Sequence, residues 1–430
     1  MHQFEVATMS ESTYDAVLYG ATGFTGSLAA QYLAAHPKAP KIAFAGRNAA
    51  KLRDVRDKLV DVPKQRLESI GIIEASATDK ASLQRLARSA KVVINMVGPY
   101  GLLGGFEVAQ ACVEAGTGYV DLTGESDVYA RITRELHGQA KQTGAVIVPS
   151  AGFDCLPFDL GTYFAVKEVK KVLGDEADVD HVLLGYKIKG GMSGGTLASL
   201  INMRNDPDAL LYNRPYWFSP IQGVQQLTPY MARYLPQFNT YGAFGLFAAH
   251  NTRVVNRSWG LLEDARAPSR YGSTFRYLEG VVTPSYFRAF VMAAFMKIFA
   301  WLVLHVSVVG QALQKMLPQG SGPSMEEQLK GFGYLRTVAY GRDGHTKGLS
   351  TFYVKGNPGY LKTAGFISET ALTIALEKDR LSPLAKQGGV LTPATIGAEV
   401  LAERLGEFAG VEIKMANVTN DADLTKALAK

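Results

Sequence analysis

Apolar runs alternate with amphipathic segments along the first third of the chain. The apolar runs have the length of short strands buried on both faces, and they span residues 16–19, 41–47, 69–75, 91–97, 119–122 and 145–149. Segments with apolar residues at helical spacing lie between them, at 28–33, 49–60, 79–89, 106–115 and 127–143. This alternation predicts a parallel sheet covered by helices on both faces.

The alternation breaks near residue 160, and the pattern after it is mixed. Residues 180–189 predict a strand and residues 197–203 a helix. Residues 334–340 and 349–354 alternate with period two around the turn-forming sequence GRDGHTKG, which predicts two paired strands. Further helices are predicted at 366–376 and 395–405. We therefore expect a second domain of the α+β class.

Residues 286–317 form the most apolar segment of the chain. Between Ala289 and Gly310, Lys297 is the only side chain charged at neutral pH when His305 is neutral. A helix of about 20 apolar residues crosses a bilayer, so length alone permits a membrane span. On a helical wheel, however, a thin polar stripe marks one side of this segment, formed by Lys297, Ser307, Gln311, Gln314 and Lys315.

A broad apolar face with a thin polar stripe is typical of a helix that lies in the plane of a membrane surface. We therefore expect segment 286–317 to be helical and to attach the protein to such a surface. Two alternatives stay open, a helix buried between domains and a helix packed against a partner chain, and a homodimer is one form of the second.

A glycine-rich turn follows the first predicted strand. In GATGFTG, Gly20, Gly23 and Gly26 stand between that strand and the first helix. Such glycines permit a tight turn, let the backbone approach a pyrophosphate, and let the helix pack closely on the sheet. The helix N-terminus then presents free N–H groups and a positive dipole end to the phosphates. The sequence therefore predicts a dinucleotide site here, against the alternative of an ordinary glycine-rich turn.

The end of the second strand indicates which dinucleotide binds. An Asp or Glu at this position usually bonds the ribose 2′-OH of NAD, whereas an Arg suits the 2′-phosphate of NADP. Arg47 stands at this position, Lys51 follows one helical turn later, and no carboxylate lies between Gly26 and Asp54. We therefore predict NADP(H), with a solvated surface arginine as the alternative reading of Arg47.

Composition narrows the kinds of partner, metal site and cellular compartment that are expected. The chain has 430 residues, a net charge of +6 and no dense basic run with interleaved aromatics, so we expect no nucleic-acid partner. Cys112 and Cys155 are the only cysteines and predict a reducing compartment, and the seven histidines show no ligand spacing, so we expect no metal. The N-terminal sequence has no basic region followed by an apolar core, so we predict that the protein is not secreted.

A set of motifs resembles a known family. GATGFTG, AGR, NMVGPY, DLTGE, SAGFDCLPFDLG, SGGT and GGVLTPA occur in this order, over residues 14–412. Together they resemble the saccharopine dehydrogenase-like oxidoreductases, which include the bacterial trans-acting enoyl reductases. The resemblance implies an α/β protein with a Rossmann-type doubly wound parallel sheet at 13–155. It also implies a substrate domain at 156–365, with the apolar helical insertion 286–317, and C-terminal helices at 366–430 that return to the Rossmann domain.

The resemblance also implies an activity, namely NADPH-dependent reduction of a hydrophobic lipid or polyketide-type substrate, such as an enoyl C=C bond. It implies attachment to the cytoplasmic face of a membrane or lipid droplet, as in eukaryotic members. A second function from another class stays open, a membrane or lipid-droplet protein that binds the cofactor without turnover. The cofactor-binding residues expected on this basis are Gly20, Thr22, Gly23, Phe24, Thr25, Gly26, Arg47, Lys51, Gly98 and Pro99.

Candidate catalytic residues lie on loops at the carboxyl ends of the predicted strands, where such sheets bind ligands. Tyr100 and Asp154 are the preferred catalytic residues, and Asp121 and Glu125 lie on the same edge. For Tyr100 two roles stay open, stacking near the nicotinamide and donating a proton. Plain packing is the alternative for Tyr100. Asp159 is interpreted as a helix cap. Ser193 and Thr196, in a glycine-rich stretch before a predicted helix, are candidate substrate contacts, with a flexible loop as the alternative.

A second catalytic pattern competes with this one. Ser150, Tyr163 and Lys167 have the Ser and Tyr-x-x-x-Lys arrangement of the short-chain dehydrogenases, in which the Tyr is the acid/base. This pattern predicts a carbonyl reductase. Against it, the chain contains 20 tyrosines, so such a pair arises easily by chance, and the chain continues far beyond the motif.

Overall fold

The computed structural model of the protein describes residues 13–205, 213–420 and 423–424. The N-terminal residues behind the prediction about secretion lie outside this range, as do parts of the predicted segments 156–365 and 366–430. The strands are β1 (Tyr14–Tyr19), β2 (Ile42–Gly46), β3 (Gly71–Glu74), β4 (Ala90–Asn95), β5 (Gly118–Asp121), β6 (Val146–Val148), β7 (Val179–Lys189), β8 (Ala232–Leu235), β9 (Thr240–Ala243), β10 (Tyr277–Thr283), β11 (Phe332–Gly341), β12 (Lys347–Lys355), β13 (Gly389–Val390) and β14 (Val411–Val418).

Helices alternate with these strands along the described part of the chain. They are α1 (Phe24–Ala34), α2 (Ala49–Asp57), α3 (Lys64–Glu68), α4 (Lys80–Arg88), α5 (Gly105–Ala115), α6 (Ser126–Thr143), α7 (Leu156–Leu173), α8 (Gly194–Asn202), α9 (Ala248–Asp264), α10 (Tyr286–His305), α11 (Ser307–Met316), α12 (Met325–Leu329), α13 (Thr363–Leu376), α14 (Pro383–Gln387) and α15 (Ala398–Ala409).

The first sheet is parallel throughout, with strands in the order β13, β6, β5, β4, β1, β2, β3. The prediction of a doubly wound parallel sheet is confirmed. Strand β1 shows why the apolar run predicted it: Ala16 and Leu18 enter one buried cluster, while Val17 and Tyr19 enter another. Since successive side chains point to opposite faces, a strand covered on both sides must be apolar at every position.

The second sheet is mixed, with strands in the order β14, β12, β11, β7, β10, β9, β8. Only β7 and β10 are parallel neighbours, and the other pairs are antiparallel. Strands β11 and β12 form the predicted pair of strands with period-two alternation, so the prediction of a second α+β domain is confirmed. Helix α7 packs across β11 and β12, where the Ser350 hydroxyl donates to the Gly161 carbonyl oxygen at 2.7 Å.

The C-terminal segment contributes to both sheets. Helix α13 packs on β1, β4 and β5, and β13 adds a seventh strand beside β6. Strand β14, however, pairs with β12 of the second sheet. The segment predicted to return to the Rossmann domain therefore divides between the two domains. The boundaries proposed after residues 155 and 365 stay predictions.

The predicted apolar helical insertion is confirmed, and it consists of two helices, α10 and α11. Helix α10 ends where Val306 adopts an extended conformation, with φ −111° and ψ 96°. The Arg204 guanidinium donates to the carbonyl oxygens of Leu304 at 2.7 Å and Val303 at 2.9 Å, and to Ser307 Oγ at 3.1 Å. Because helix C-termini leave carbonyl groups without intrahelical donors, these bonds stabilise the break.

Candidate active site

A cavity of about 460 Å³ lies beyond the carboxyl ends of the first sheet and is lined by both domains. This position is where open α/β sheets bind ligands. Most of the predicted site residues line it, namely Gly20, Thr22, Gly23, Phe24, Thr25, Gly26, Arg47, Gly98, Tyr100, Asp154, Ser193 and Thr196. Lys51 and Pro99 are not among the lining residues.

The three glycines of the turn differ in how much space their surroundings would leave for a side chain. Gly20 has φ +98°, and a Cβ there would lie 2.7 Å from Val97 Cγ2. A Cβ on Gly26 would lie 2.1 Å from the Gly20 carbonyl oxygen, so α1 can approach the turn only with glycine at this position. A Cβ on Gly23 would meet nothing closer than 3.5 Å. Protein packing therefore requires Gly20 and Gly26, whereas Gly23 leaves space on the cavity wall.

The N-terminus of α1 fits an anion. The first bond of the helix runs from the Ser27 N–H to the Gly23 carbonyl oxygen at 2.8 Å, so the N–H groups of Phe24, Thr25 and Gly26 have no intrahelical acceptor. These three residues line the cavity, and the first turn contains no acidic side chain. Free N–H groups and the positive end of the helix dipole together favour a phosphate.

Arg47 directly follows β2 at the rim of the cavity. Its side chain is exposed and makes no ion pair with any described residue. Lys51, in the first turn of α2, is also exposed, and its backbone N–H donates to Asn48 Oδ1 at 3.0 Å. Of these two cations only Arg47 lines the cavity, and both stay predicted contacts of the 2′-phosphate.

Tyr100 is a structural residue in this geometry, which corrects its predicted role as proton donor. Its hydroxyl donates to the Asn95 carbonyl oxygen at 3.1 Å and accepts from the Leu122 N–H at 3.0 Å. Burial, followed by the Asp121 carboxylate, raises the pKa of Tyr100 well above its usual value. The hydroxyl joins the loops that follow β4 and β5, and its single proton is already engaged.

Asp154 differs from Tyr100 because no described residue holds its side chain by a hydrogen bond. It lies between β6 and α7, lines the cavity, and makes no hydrogen bond to any described residue. Burial raises the pKa of its carboxyl group to about 6. A carboxyl group without a partner, in a cleft and titrating near neutral pH, has the properties expected of a general acid or base.

Glu125 holds the two domains together at the cavity. Its Oε1 accepts from the Tyr100 N–H at 2.8 Å and from Ser199 Oγ at 3.2 Å. Its Oε2 accepts from the Gly101 N–H at 3.1 Å and from Asn202 Nδ2 at 2.8 Å. Each oxygen of this buried carboxylate therefore accepts two hydrogen bonds. Glu125 positions α8 against the loop after β4 and is not placed for proton transfer.

Ser193 and Thr196 lie at the N-terminus of α8. Ser193 Oγ caps the helix by accepting from the Thr196 N–H at 3.2 Å, so the alternative of a flexible loop is wrong. The Tyr360 hydroxyl oxygen lies 2.8 Å from Thr196 Oγ1 and accepts from the Ser193 N–H at 2.6 Å. The result is a cluster of hydroxyl groups on the cavity wall.

His250 is a residue on the wall that sequence patterns did not single out. Ser126 Oγ accepts from Arg253 at 2.8 Å and lies 2.9 Å from His250 Nδ1, to which it donates when Nε2 carries the single proton of the neutral ring. Ser150 Oγ donates to the Thr123 carbonyl oxygen and therefore accepts from His250 Nε2 at 3.0 Å. Burial, followed by Arg253, lowers the pKa of His250 to about 3. The imidazole is therefore neutral, with both nitrogens engaged.

The short-chain dehydrogenase pattern is not assembled. The Tyr163 hydroxyl donates to Glu399 Oε1 at 3.0 Å, and Lys167 Nζ donates to the same oxygen at 2.6 Å. Ser150 instead bonds His250, and neither Tyr163 nor Lys167 lines the cavity. The prediction of a carbonyl reductase based on this triad is therefore wrong.

Two further acidic residues at this edge are structural. Asp121 accepts from the N–H groups of Thr123 and Ser150, each at 2.9 Å. Asp159 accepts from the Ser258 hydroxyl and from the Ala394 N–H at 2.8 Å. It therefore connects distant segments and does not cap α7, contrary to the prediction. Burial raises the pKa of both carboxyl groups to about 6.

Comparisons with known proteins agree with this site. Residues 16–148 match the family model described as the saccharopine dehydrogenase NADP binding domain, and the prediction of NADP(H) is confirmed. The trans-acting enoyl reductase of Mycobacterium leprae (strain TN) is 35% identical over 425 residues, which cover 93% of this chain and 97% of the relative. The protein of the same name from Mycobacterium ulcerans (strain Agy99) is 33% identical, covering 92% and 96%.

A solved structure shows the same fold. Apo saccharopine dehydrogenase (L-Glu forming) from Saccharomyces cerevisiae superposes with a TM-score of 0.54 over 94% of this chain and 100% of that chain. At 14% identity this likeness shows the fold alone. The sequence relatives and the cofactor-domain match carry the family assignment: the chain belongs to the saccharopine dehydrogenase-like family and is an NADP-dependent oxidoreductase.

Proposed function

We propose that the protein reduces an activated C=C bond of an apolar acyl substrate, of the lipid or polyketide type, with NADPH. The observation that carries this proposal is the composition of one cavity: a phosphate-binding turn, an apolar wall, and the unpartnered carboxyl group of Asp154. The names of the relatives support enoyl reduction as the reaction.

The cofactor side of the cavity fits NADPH. The free N–H groups at the start of α1 and the space beside Gly23 suit the pyrophosphate, and Arg47 suits the 2′-phosphate. When bound, NADPH supplies a hydride to the electron-poor carbon of the substrate.

The substrate side favours an uncharged, apolar molecule. Arg47 is the only Lys or Arg among the described lining residues, so a dicarboxylate would find no pair of cations there. Ser193, Thr196 and Tyr360 offer hydroxyl groups that we assign to a substrate carbonyl oxygen. The rest of the wall includes Leu103, Leu122, Leu200, Met203 and Phe247.

Asp154 is the residue that we assign to the proton. In the balanced reaction, an enoyl compound, NADPH and one proton give the saturated acyl compound and NADP⁺. The hydride forms a C–H bond at the β-carbon, the C=C π pair becomes an enolate, and a proton from the Asp154 carboxyl group forms a C–H bond at the α-carbon. A pKa of about 6 lets this group release a proton and regain it from water near neutral pH.

A substrate panel tests the reaction class. The purified protein is mixed with NADPH and an enoyl thioester, a ketone or an imine, each with a short and a long alkyl chain. We expect NADPH oxidation with the long-chain enoyl thioester, a product heavier by two hydrogens, and deuterium at the β-carbon from C4-deuterated NADPH.

The outcomes separate the competing functions. Turnover of the ketone or imine but not of the enoyl thioester would contradict C=C reduction while keeping the oxidoreductase assignment. NADPH binding without turnover of any member of the panel would favour the alternative of a protein that binds cofactor without catalysis. A preference for short chains over long ones would exclude an apolar substrate.

A further inference from the structure

Helix α10 exposes large apolar side chains on one side and buries small ones on the other. Phe287 is 74% exposed, Phe295 67%, Ile298 60% and Trp301 57%. The buried positions are Ala289, Ala293, Ala300 and Val303. Water-soluble proteins rarely expose contiguous apolar surface of this kind unless it binds something.

The exposed apolar side continues beyond the break at Val306. In α11, Val308 is 73% exposed and Met316 81% exposed. We call the combined area the α10–α11 surface, defined by Phe287, Phe290, Phe295, Ile298, Trp301, Val308 and Met316. In the part of the chain that the structure describes, no segment covers it.

The charges within the segment that forms this surface have one sign. No Asp or Glu occurs between Gly280 and Met325, whereas Arg288, Lys297 and Lys315 all have exposed side chains. Apolar side chains that alternate along one segment with exposed cations complement a phospholipid surface with anionic headgroups. A groove on a protein partner would need a matching all-acidic rim.

The packing of α10 decides between spanning a bilayer and lying on it. The helix is long and apolar enough to cross a membrane, and 22% of its most apolar window is buried in the protein. Ala289 and Ala293 pack in one cluster with Ala243 of β9, and Val303 packs with Leu200 and Met203. A spanning helix would lose these contacts, whereas a helix lying in the membrane plane keeps them.

We propose that the α10–α11 surface docks on an anionic phospholipid bilayer, with its aromatic side chains in the interfacial region. The same geometry brings lipid close to the active site, because Leu200 and Met203 line the cavity and contact Val303. The segment after α11 also reaches the cavity wall, where Gln319 Nε2 donates to the Gly98 carbonyl oxygen at 3.0 Å.

Vesicle co-sedimentation tests this proposal without substrate or turnover, so its result is independent of the proposed reaction. The intact protein should bind vesicles of phosphatidylcholine mixed with phosphatidylglycerol more tightly than vesicles of phosphatidylcholine alone. Replacing Phe295→Ser and Trp301→Ser together should reduce binding by about tenfold or more. Replacing Arg288→Gln and Lys315→Gln should reduce binding by about fivefold per cation, on the mixed vesicles only.

Matched substitutions elsewhere control for general changes in hydrophobicity and charge. Val60→Ser and Met415→Ser remove exposed apolar side chains outside the surface, and Lys355→Gln and Lys414→Gln remove exposed cations of β12 and β14. All four should bind vesicles like the parent. An NADPH titration of each variant tests whether its fold is intact.

Three results would overturn the proposal. The intact chain fails to bind mixed vesicles, or the paired aromatic variant binds them as the parent does. The third is a detergent-free dimer that dissociates when Phe295 and Trp301 are replaced, because a second copy would then cover the α10–α11 surface. Analytical ultracentrifugation without vesicles distinguishes this last case.

Discussion

At the scale of single residues, the carboxyl groups of the site differ in what surrounds them. Glu125 is filled by four donors and Asp121 by three, whereas Asp154 has none among the described residues. Asp154 is half-buried, and a carboxylate in a cleft without protein donors is less well solvated than one in water, which disfavours its charged form. This contrast supports the proposed role of Asp154 as the proton donor.

Asp154→Asn should therefore stabilise the fold and impair turnover. The folded pKa of about 6 lies above the ordinary 3.8, so the folded chain holds the proton more tightly, and ionisation costs stability increasingly as pH rises from about 4 to above 6. The upper bound is about 3 kcal/mol above that range. We expect a higher Tm than the parent at pH 8, little difference at pH 4, and a kcat lower by about 10²–10⁴-fold.

Thermal melts and pH–rate profiles check these effects. The control is Asp127→Asn, an exposed carboxyl group in the first turn of α6, which should change neither quantity appreciably. If Asp154→Asn destabilises the fold at pH 8, the assigned role of Asp154 is contradicted. The same holds if the variant keeps the parental kcat and its pH–rate profile keeps the limb near pH 6.

Arg47→Asp should change cofactor preference. A charge-assisted contact contributes about 1.5–3 kcal/mol, so NADPH affinity should fall by roughly tenfold or more, with NADH affinity much less affected. Fluorescence titrations with both cofactors measure this. Lys51→Asp, which changes a cation off the cavity wall, should have a smaller effect. An equal loss for the two cofactors after Arg47→Asp would mean that Arg47 does not contact the 2′-phosphate.

At the scale of elements, substitutions at two glycines of the turn between β1 and α1 should separate cofactor binding from folding. Gly23→Val places a side chain beside the cavity, with only an ordinary contact from its Cβ to the Gly20 carbonyl oxygen, so the protein should fold but lose NADPH affinity. Gly26→Ala collides with that oxygen and should lower stability by several kcal/mol or prevent folding. Melting curves and NADPH titrations compare the two variants, and parental NADPH affinity in Gly23→Val would refute the assignment.

Sequence periodicity was sufficient to predict the elements whose burial pattern can be read from their own residues. The strands of the parallel sheet and the turn on α1 are of this kind, because apolar runs and glycine spacing are local signals. The break at Val306 was not predictable, since Arg204, about a hundred positions earlier, supplies its hydrogen bonds. The neutral tautomer of His250 likewise depends on Ser126 and Ser150, which are distant in sequence.

At the scale of the whole molecule, the motifs gave the family and both domains, but not how the C-terminal segment connects them. Strand β13 has only two residues, Gly389–Val390, too few for any periodicity. Strand β14 was missed because its side chains alternate weakly and only Val411 is buried. The edge of a sheet that a strand joins depends on the tertiary contacts of the whole chain.

The split of the C-terminal segment between the sheets has a consequence for the order in which the protein is made. A ribosome releases the N-terminal residues first. The face of β1, β4 and β5 that α13 covers must then stay uncovered until Thr363–Leu376 has emerged. Both sheets lack an edge strand for longer still, until β13 and β14 follow. Neither sheet can therefore be completed from the residues that precede Thr363, and the nascent chain exposes apolar sheet surface until these C-terminal elements have been added.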